Sequence, residues 1–199
     1  MKKILLIALL LIVGCSKEPI NLQKLVERDL LYYKKETNKP YSGPVYEIFK
    51  NGQIKYEGTL MNGMQTGDYT NWYENGQISE KGTYSIKNGI GNFIRWDENG
   101  YIYEKVTFNH GIATRILFYD NGDKMWEWTE KSGEKYGLSI RWYGNGQKED
   151  EVNYVNGKPH GIWTFWDYDG QKFRQEIWEN GELINSKCWD EDGNEKECD

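Results

Sequence analysis

Glycines recur along this chain at an interval that only a repeated structural unit explains. Asn-Gly or Asp-Gly pairs end at Gly52, Gly76, Gly100, Gly122, Gly146, Gly170 and Gly193, with spacings of 24, 24, 22, 24, 24 and 23 residues. Nine residues before them stand Gly43, Gly67, Gly91, Ala113, Gly137, Gly161 and Ile184. Eleven residues after five of them come Gly63, Gly111, Gly133, Gly157 and Gly181, while Gly89 sits two places late. Three glycine positions in one register mark tandem repeats. A unit this short cannot bury its own apolar face, so it must stack on its neighbours.

Between the glycines the pattern is that of strands. Ile48, Trp72, Trp96, Phe118, Trp142, Trp166 and Trp189 stand four residues before each turn glycine. Tyr46, Thr70, Ile94, Ile116, Ile140, Thr164 and Lys187 stand two residues earlier still. Leu60, Tyr84, Phe108, Glu130, Tyr154 and Trp178 follow the turn glycine by eight. Period two with aromatic and β-branched residues is the signature of a half-buried strand. The 22 Gly, 15 Tyr and 9 Trp against 4 Pro suit short strands and tight turns.

Each unit therefore reads as strand, Asn-Gly turn, strand, Gly-rich turn. The expected fold is all-β: an elongated antiparallel β-meander of about six tandem hairpins of about 24 residues each. Asn-Gly fits a two-residue turn in which both central residues take positive φ. With strands roughly 4.8 Å apart, each unit advances the sheet by about 10 Å, for an array on the order of 60 Å. The Trp row is expected to form a ladder along it. Ala113, Ile184 and Glu130 depart from the pattern, and local hairpin geometry is expected to depart there too.

The units Gly67-Asp-Tyr-Thr-Asn-Trp-Tyr-Glu-Asn-Gly76-Gln and His160-Gly161-Ile-Trp-Thr-Phe-Trp-Asp-Tyr-Asp-Gly170-Gln resemble MORN repeats, specifically a bacterial variant commonly described as an antitoxin component. Leu30-Leu31-Tyr32-Tyr33 and Lys39-Pro40-Tyr41-Ser42-Gly43 also resemble the way such arrays open. The resemblance covers about Leu30 to Gly193. It implies a hairpin-repeat fold, and it raises an antitoxin or immunity role. A secreted protein cannot meet a cytosolic toxin, so the immunity form is the one compatible with the N-terminus described next.

Met1-Lys2-Lys3 is a basic start, and Ile4 to Val13 is an unbroken apolar run, about half of the roughly 20 residues a spanning helix needs. Leu11-Ile12-Val13-Gly14-Cys15 closes it and resembles a bacterial lipobox, which makes Cys15 the expected site of lipidation. The blander alternative is an ordinary signal peptide whose first mature residue is Cys. Two or three acyl chains anchor a protein nearly irreversibly, at about 0.8 kcal/mol per buried CH2. Ser16 in place of Asp after the acylated Cys favours the outer membrane over retention at the inner one. The expected organisation is 1–14 lipoprotein signal peptide, 15–28 tether or N-terminal cap, 29–184 hairpin array, and 185–199 C-terminal partial repeat and acidic cap. Ile20, Leu22, Leu25 and Val26 serve either to cover the first strand or to tether the array off the bilayer.

Charge and residue inventory narrow the chemistry. Removing Lys2 and Lys3 with the signal leaves 23 basic against 31 acidic residues, a net −8, which excludes nucleic acid and argues against an anionic lipid surface. Cys188 and Cys198 flank Gly193 symmetrically and are expected to form a disulfide stapling the last hairpin; a redox or metal role is the weaker reading. His110 and His160, the only histidines, both precede a unit-boundary glycine and read as exposed repeat residues. Asp97, Asp167 and Asp190 share one register position on successive units and read as sheet-surface carboxylates. No catalytic, cofactor-binding or metal-ligating residue is assigned, and no enzyme activity is expected.

Tyr73, Tyr119 and Tyr143, one residue beyond the Trp row, are expected on the other side of the sheet, where they form a binding strip or simply cover a second face. The resulting expectation is a membrane-anchored envelope lipoprotein that acts as a non-catalytic protein-interaction or scaffolding module. The alternatives are a carbohydrate- or peptidoglycan-binding lipoprotein using the aromatic strips, and an antitoxin or immunity-type protein.

Overall fold

A computed structural model describes residues 17–85 and 89–198, so the signal segment and Cys15 lie outside the described residues. The N-terminal part comprises β1 (Ile20–Asn21), a single 3-10 turn (Leu22–Lys24), β2 (Leu25–Arg28) and β3 (Leu31–Lys34). The meander follows with β4 (Gly43–Ile48), β5 (Ile54–Met61), β6 (Met64–Trp72), β7 (Ile78–Ser85), β8 (Ile90–Trp96) and β9 (Ile102–Asn109). It continues through β10 (Ile112–Phe118), β11 (Lys124–Lys131), the short β12 (Glu134–Lys135), β13 (Gly137–Trp142) and β14 (Lys148–Val155). β15 (Lys158–Trp166), β16 (Lys172–Glu179), β17 (Glu182–Trp189) and β18 (Glu195–Lys196) complete it. These strands make one 16-stranded sheet, antiparallel throughout except that β1 joins β4 in parallel; β2 and β3 form a separate hairpin. The all-β meander of tandem hairpins is thus the fold.

The two kinds of turn exchange the roles expected of them. At Asn51-Gly52 and its equivalents only the glycine takes positive φ. Asn51 Oδ1 instead accepts from the Gln53 N–H at 2.9 Å, and the Gly52 N–H donates to the Phe49 carbonyl at 3.0 Å. The Asn side chain satisfies the backbone two residues on, which holds Asn on the right-handed side and makes a four-residue turn ending in a glycine bulge. The two-residue turns with both residues at positive φ are the other set, among them Asn62-Gly63 (52° and 83°), His110-Gly111 (48° and 81°) and Asn156-Gly157 (50° and 75°).

The glycine expected to open each unit marks a register slip at three places, one of them Gly137 (φ 72°), where β12 pairs Glu130 with Lys135 and β13 pairs Glu127 with Ile140. The β5–β6 register slips between Glu57 and Thr59 beside Gly67, and the β14–β15 register slips between Glu151 and Asn153 beside Gly161. Where Gly91 and Ala113 stand, the β7–β8 and β9–β10 ladders run unbroken. Ala113 therefore needs no unusual backbone, and its departure from glycine leaves the hairpin regular. Ile184 falls in a slip of its own, between Asn185 opposite Ile177 and Leu183 opposite Trp178.

The first strand of the meander is covered. Leu25, Tyr41, Val45 and Leu60 form a small buried core, with Ile20, Leu22, Tyr32 and Tyr56 packed on it. The Tyr32 N–H donates to Gly63 O at 2.9 Å and the Gly63 N–H to Tyr41 O at 2.8 Å, which ties the cap to the β5–β6 turn. Residues 29–42, expected in the array, thus belong with the cap, and the meander begins at Gly43. An open edge would otherwise invite pairing with another chain.

Candidate functional site

The register divides the meander into two faces of different chemistry, because residues directly opposite on antiparallel neighbours point the same way. On one face the cross-strand row runs Glu47, Tyr56, Asn71, Glu80, Arg95, Glu104 and on through Leu117, Trp126, Arg141 and Asp150. On the other face lies the Trp row, where Lys105 reaches over the Phe118 ring at 5.0 Å.

The Trp row does not stack ring on ring. Its members recur on every second strand, about 10 Å apart, whereas aromatic pairs need centroids within about 7 Å. A residue of the intervening strand fills the gap instead. The ammonium groups of Lys124, Lys148 and Lys172 lie over the rings of Trp142, Trp166 and Trp189 at 5.5, 5.5 and 3.9 Å.

The first face carries a continuous charge ladder. Arg95 bridges Glu80 and Glu104 at 2.6 Å each, and Arg115 bridges Glu104 at 2.8 Å and Glu130 at 3.3 Å. Glu104 is buried, and two guanidinium groups satisfy it. Farther along, indole N–H groups take over: Trp128 donates to Glu130 at 2.8 Å, Trp163 to Asp150 at 3.1 Å and Trp178 to Glu176 at 2.7 Å. Asp150 is also bound by Arg141. Buried carboxylates are tolerated here because each has a charged or N–H partner. Glu130, which breaks the apolar pattern in the sequence, is the end of this ladder.

Burial raises the phenols that line the face. Tyr56 is pushed up to about 12 by desolvation, reinforced by Tyr32. Tyr69 is likewise raised, first by burial and then by its hydrogen bond with Glu80. Lys135 is lowered by burial and by repulsion from Arg141, while its ammonium lies 4.3 Å from the Trp126 ring centroid and 4.9 Å from that of Tyr154.

Tyr73, Tyr119 and Tyr143 occupy equivalent half-buried positions, and each hydroxyl donates to the carbonyl of the Trp-row residue 23 positions later. The acceptors are Trp96, Trp142 and Trp166, at 2.7, 2.7 and 2.9 Å. Tyr73 lines the same cleft as Glu80 and Arg95, together with Trp72. A parallel series links successive turns: Asn51, Asn75, Asn121 and Asn145 each donate a side-chain N–H to a carbonyl 23 residues on.

The remaining sequence-marked residues fall into place. Asp97 and Asp190 are turn caps and not sheet-surface carboxylates: Asp97 Oδ1 accepts from the N–H groups of Asn99 and Tyr101 at 2.9 Å, and these backbone bonds lower its pKa. Asp190 accepts in the same way from Asp192 and Asn194, and Asp167 from Asp169 and Gln171. His110 sits at positive φ in an exposed turn, and His160 is exposed on β15. Cys188 and Cys198 form a disulfide with a Cα–Cα distance of 5.3 Å. No group of three or more potential metal ligands occurs among the described residues.

Residues 65–85 match the family model of the MORN repeat variant. That unit is a MORN repeat. Hydrogen bonds spanning 23 residues recur outside the matched unit, so the local geometry of that unit repeats along the array. No curated protein matches the sequence. Among solved structures, the crystal structure of a point mutant of S. aureus TarM in complex with fondaparinux, alpha-GlcNAc-glycerol and UDP is similar at a TM-score of 0.35 and 12% identity. That match covers 53% of this chain and 21% of TarM, and a likeness so weak carries no functional argument. The charge-ladder face of the array is the feature that sequence reasoning missed. The alternating signs of Glu80, Arg95, Glu104, Arg115 and Glu130, one on each successive strand, were the available signal.

Proposed function

We propose that this protein is an envelope lipoprotein, acylated at Cys15 and held at the outer membrane, whose array is a non-catalytic module that docks another protein. The observation carrying this reading is a set of open aliphatic side chains on the Trp-row face. Ile90, Ile112, Leu138, Ile162 and Ile177 all belong to that side by register, and Leu138 and Ile162 remain 51% and 58% exposed. Ile162 and Ile177 are direct cross-strand partners, so their exposed surfaces join. Monomeric proteins rarely leave large contiguous apolar surface in water unless it is used for association. A repeat array multiplies such a stripe along its length, giving many weak contacts that add up only on an extended partner surface.

The test is photo-crosslinking in intact cells from a probe placed at Ile162, identification of the adduct, and reconstitution of that complex from purified components. Ile162→Asp is expected to abolish the reconstituted complex while leaving the fold intact. A complex that survives this substitution together with Ile177→Asp rules out the stripe. Tethering is tested separately with Cys15→Ser, which is expected to move the protein from the membrane fraction to the soluble periplasmic fraction.

A further inference from the structure

The charge-ladder face holds a cleft that the protein-docking reading does not use. Two contiguous hollows, of ≈ 520 and ≈ 620 Å³, share Asn71 and Glu80 and cross β5 to β9. The first is walled by Phe49, Tyr73 and Tyr103, the second by Tyr69, Tyr84 and Phe93. Tyr103 and Tyr84 are 41% and 39% exposed, so an open ring stands at each end. The Tyr73 hydroxyl is bound to Trp96 O at 2.7 Å, which fixes that ring before any ligand arrives.

The charges in the cleft decide what it can take. Arg95 is committed to Glu80 and Glu104 at 2.6 Å each, and Lys55 to Glu47 at 3.1 Å. Glu98 adds a further carboxylate to the wall. A sulfated, phosphorylated or uronic-acid ligand would therefore meet acids whose cationic neighbours are already engaged. The Asn71 amide and the Glu80 and Glu98 carboxylates instead offer donors and acceptors of the kind hydroxyl and acetamido groups satisfy. Aromatic faces pack on the C–H faces of pyranose rings. The open aliphatic side chains that a protein partner would cover are concentrated on the opposite face.

We propose that this cleft binds a neutral oligosaccharide, lying obliquely along the strands from Tyr103 on β9 to Tyr84 on β7 with its polar groups on Asn71 and Glu80. The site is independent of the protein-docking stripe, so either can fail alone.

The experiment is isothermal titration of the full mature chain with tetra-N-acetylchitotetraose and maltotetraose, preceded by a screen on an array of neutral and anionic glycans. An uncharged extended peptide serves as the competing probe. At least one neutral glycan is expected to bind. Tyr84→Ala and Tyr103→Ala are each expected to weaken it by roughly 10-fold, a loss of about 1.4 kcal/mol. Because both residues are exposed, near-ultraviolet circular dichroism should show the fold retained; the isosteric Asn71→Asp provides a further variant that keeps the packing and loses the amide donor. Tyr136→Ala, outside the cleft, and Ile162→Asp, on the other face, are expected to leave binding unchanged. Binding only to anionic glycans, binding only to the peptide, no neutral glycan bound by folded protein, or affinity indifferent to Tyr84, Tyr103 and Asn71 would each overturn the proposal.

Discussion

Removing the Glu104 carboxylate should measurably destabilise this array. Its two oxygens accept from Arg95 Nη1 at 2.6 Å and Arg115 Nη1 at 2.8 Å, and the side chain is 8% exposed. Breaking a buried charge pair typically costs about 3–5 kcal/mol, and one hydrogen bond to a charged group contributes about 1.5–3 kcal/mol. The lower end applies here, because Arg95 and Arg115 are 36% and 27% exposed and keep Glu80 and Glu130 as partners. Glu104→Ala is therefore expected to lose about 2–3 kcal/mol, and Glu104→Gln, which keeps the shape and one acceptor, about 1–2 kcal/mol. Urea unfolding followed by tryptophan emission measures the loss, and hydrogen exchange locates it. In an array whose units touch only their neighbours, lost protection should centre on β8 to β11 and fade toward β16. A change below about 0.5 kcal/mol, the range of an ordinary surface substitution, would refute the buried-ladder argument. Equal loss of protection in every unit would refute the nearest-neighbour picture.

Further expectations concern separate parts of the molecule. Reducing the Cys188–Cys198 bond, which spans 10 residues, should cost the last hairpin about 2–3 kcal/mol in the chain-entropy account and speed exchange in β17 and β18, with little effect at β4 to β9. Gly157→Ala, at φ 75° in a two-residue turn, should cost about 1–2 kcal/mol, whereas Ala113→Gly, in an unbroken ladder, should cost less; denaturation midpoints compare them. Because Tyr56 is raised in the folded protein to about 12, the unfolded chain releases its proton first as pH climbs past the ordinary tyrosine value of about 10. Its contribution to stability is thus complete below about 10 and is lost by about 12, so alkaline denaturation should begin at the N-terminal core, and Tyr56→Phe should remove that part of the pH dependence.

The interval between glycines, with strand-period aromatic residues inside it, was enough to define the hairpin unit, its number and its order along the sheet. These are local properties: a turn residue and an alternating pattern act over a few neighbours and are written wherever they act. Tertiary structure alone decided which turn takes which form, because Asn51 can either adopt positive φ itself or bond forward to Gln53, and only the pairing of β4 with β5 selects the second. It alone also decided that Glu80, Arg95, Glu104, Arg115 and Glu130 meet. Each lies on a different strand, and a charged residue looks the same in sequence whether it faces water or its opposite number across the sheet. The same holds for Tyr73, whose hydroxyl finds its acceptor 23 residues away, at the distance of one whole repeat.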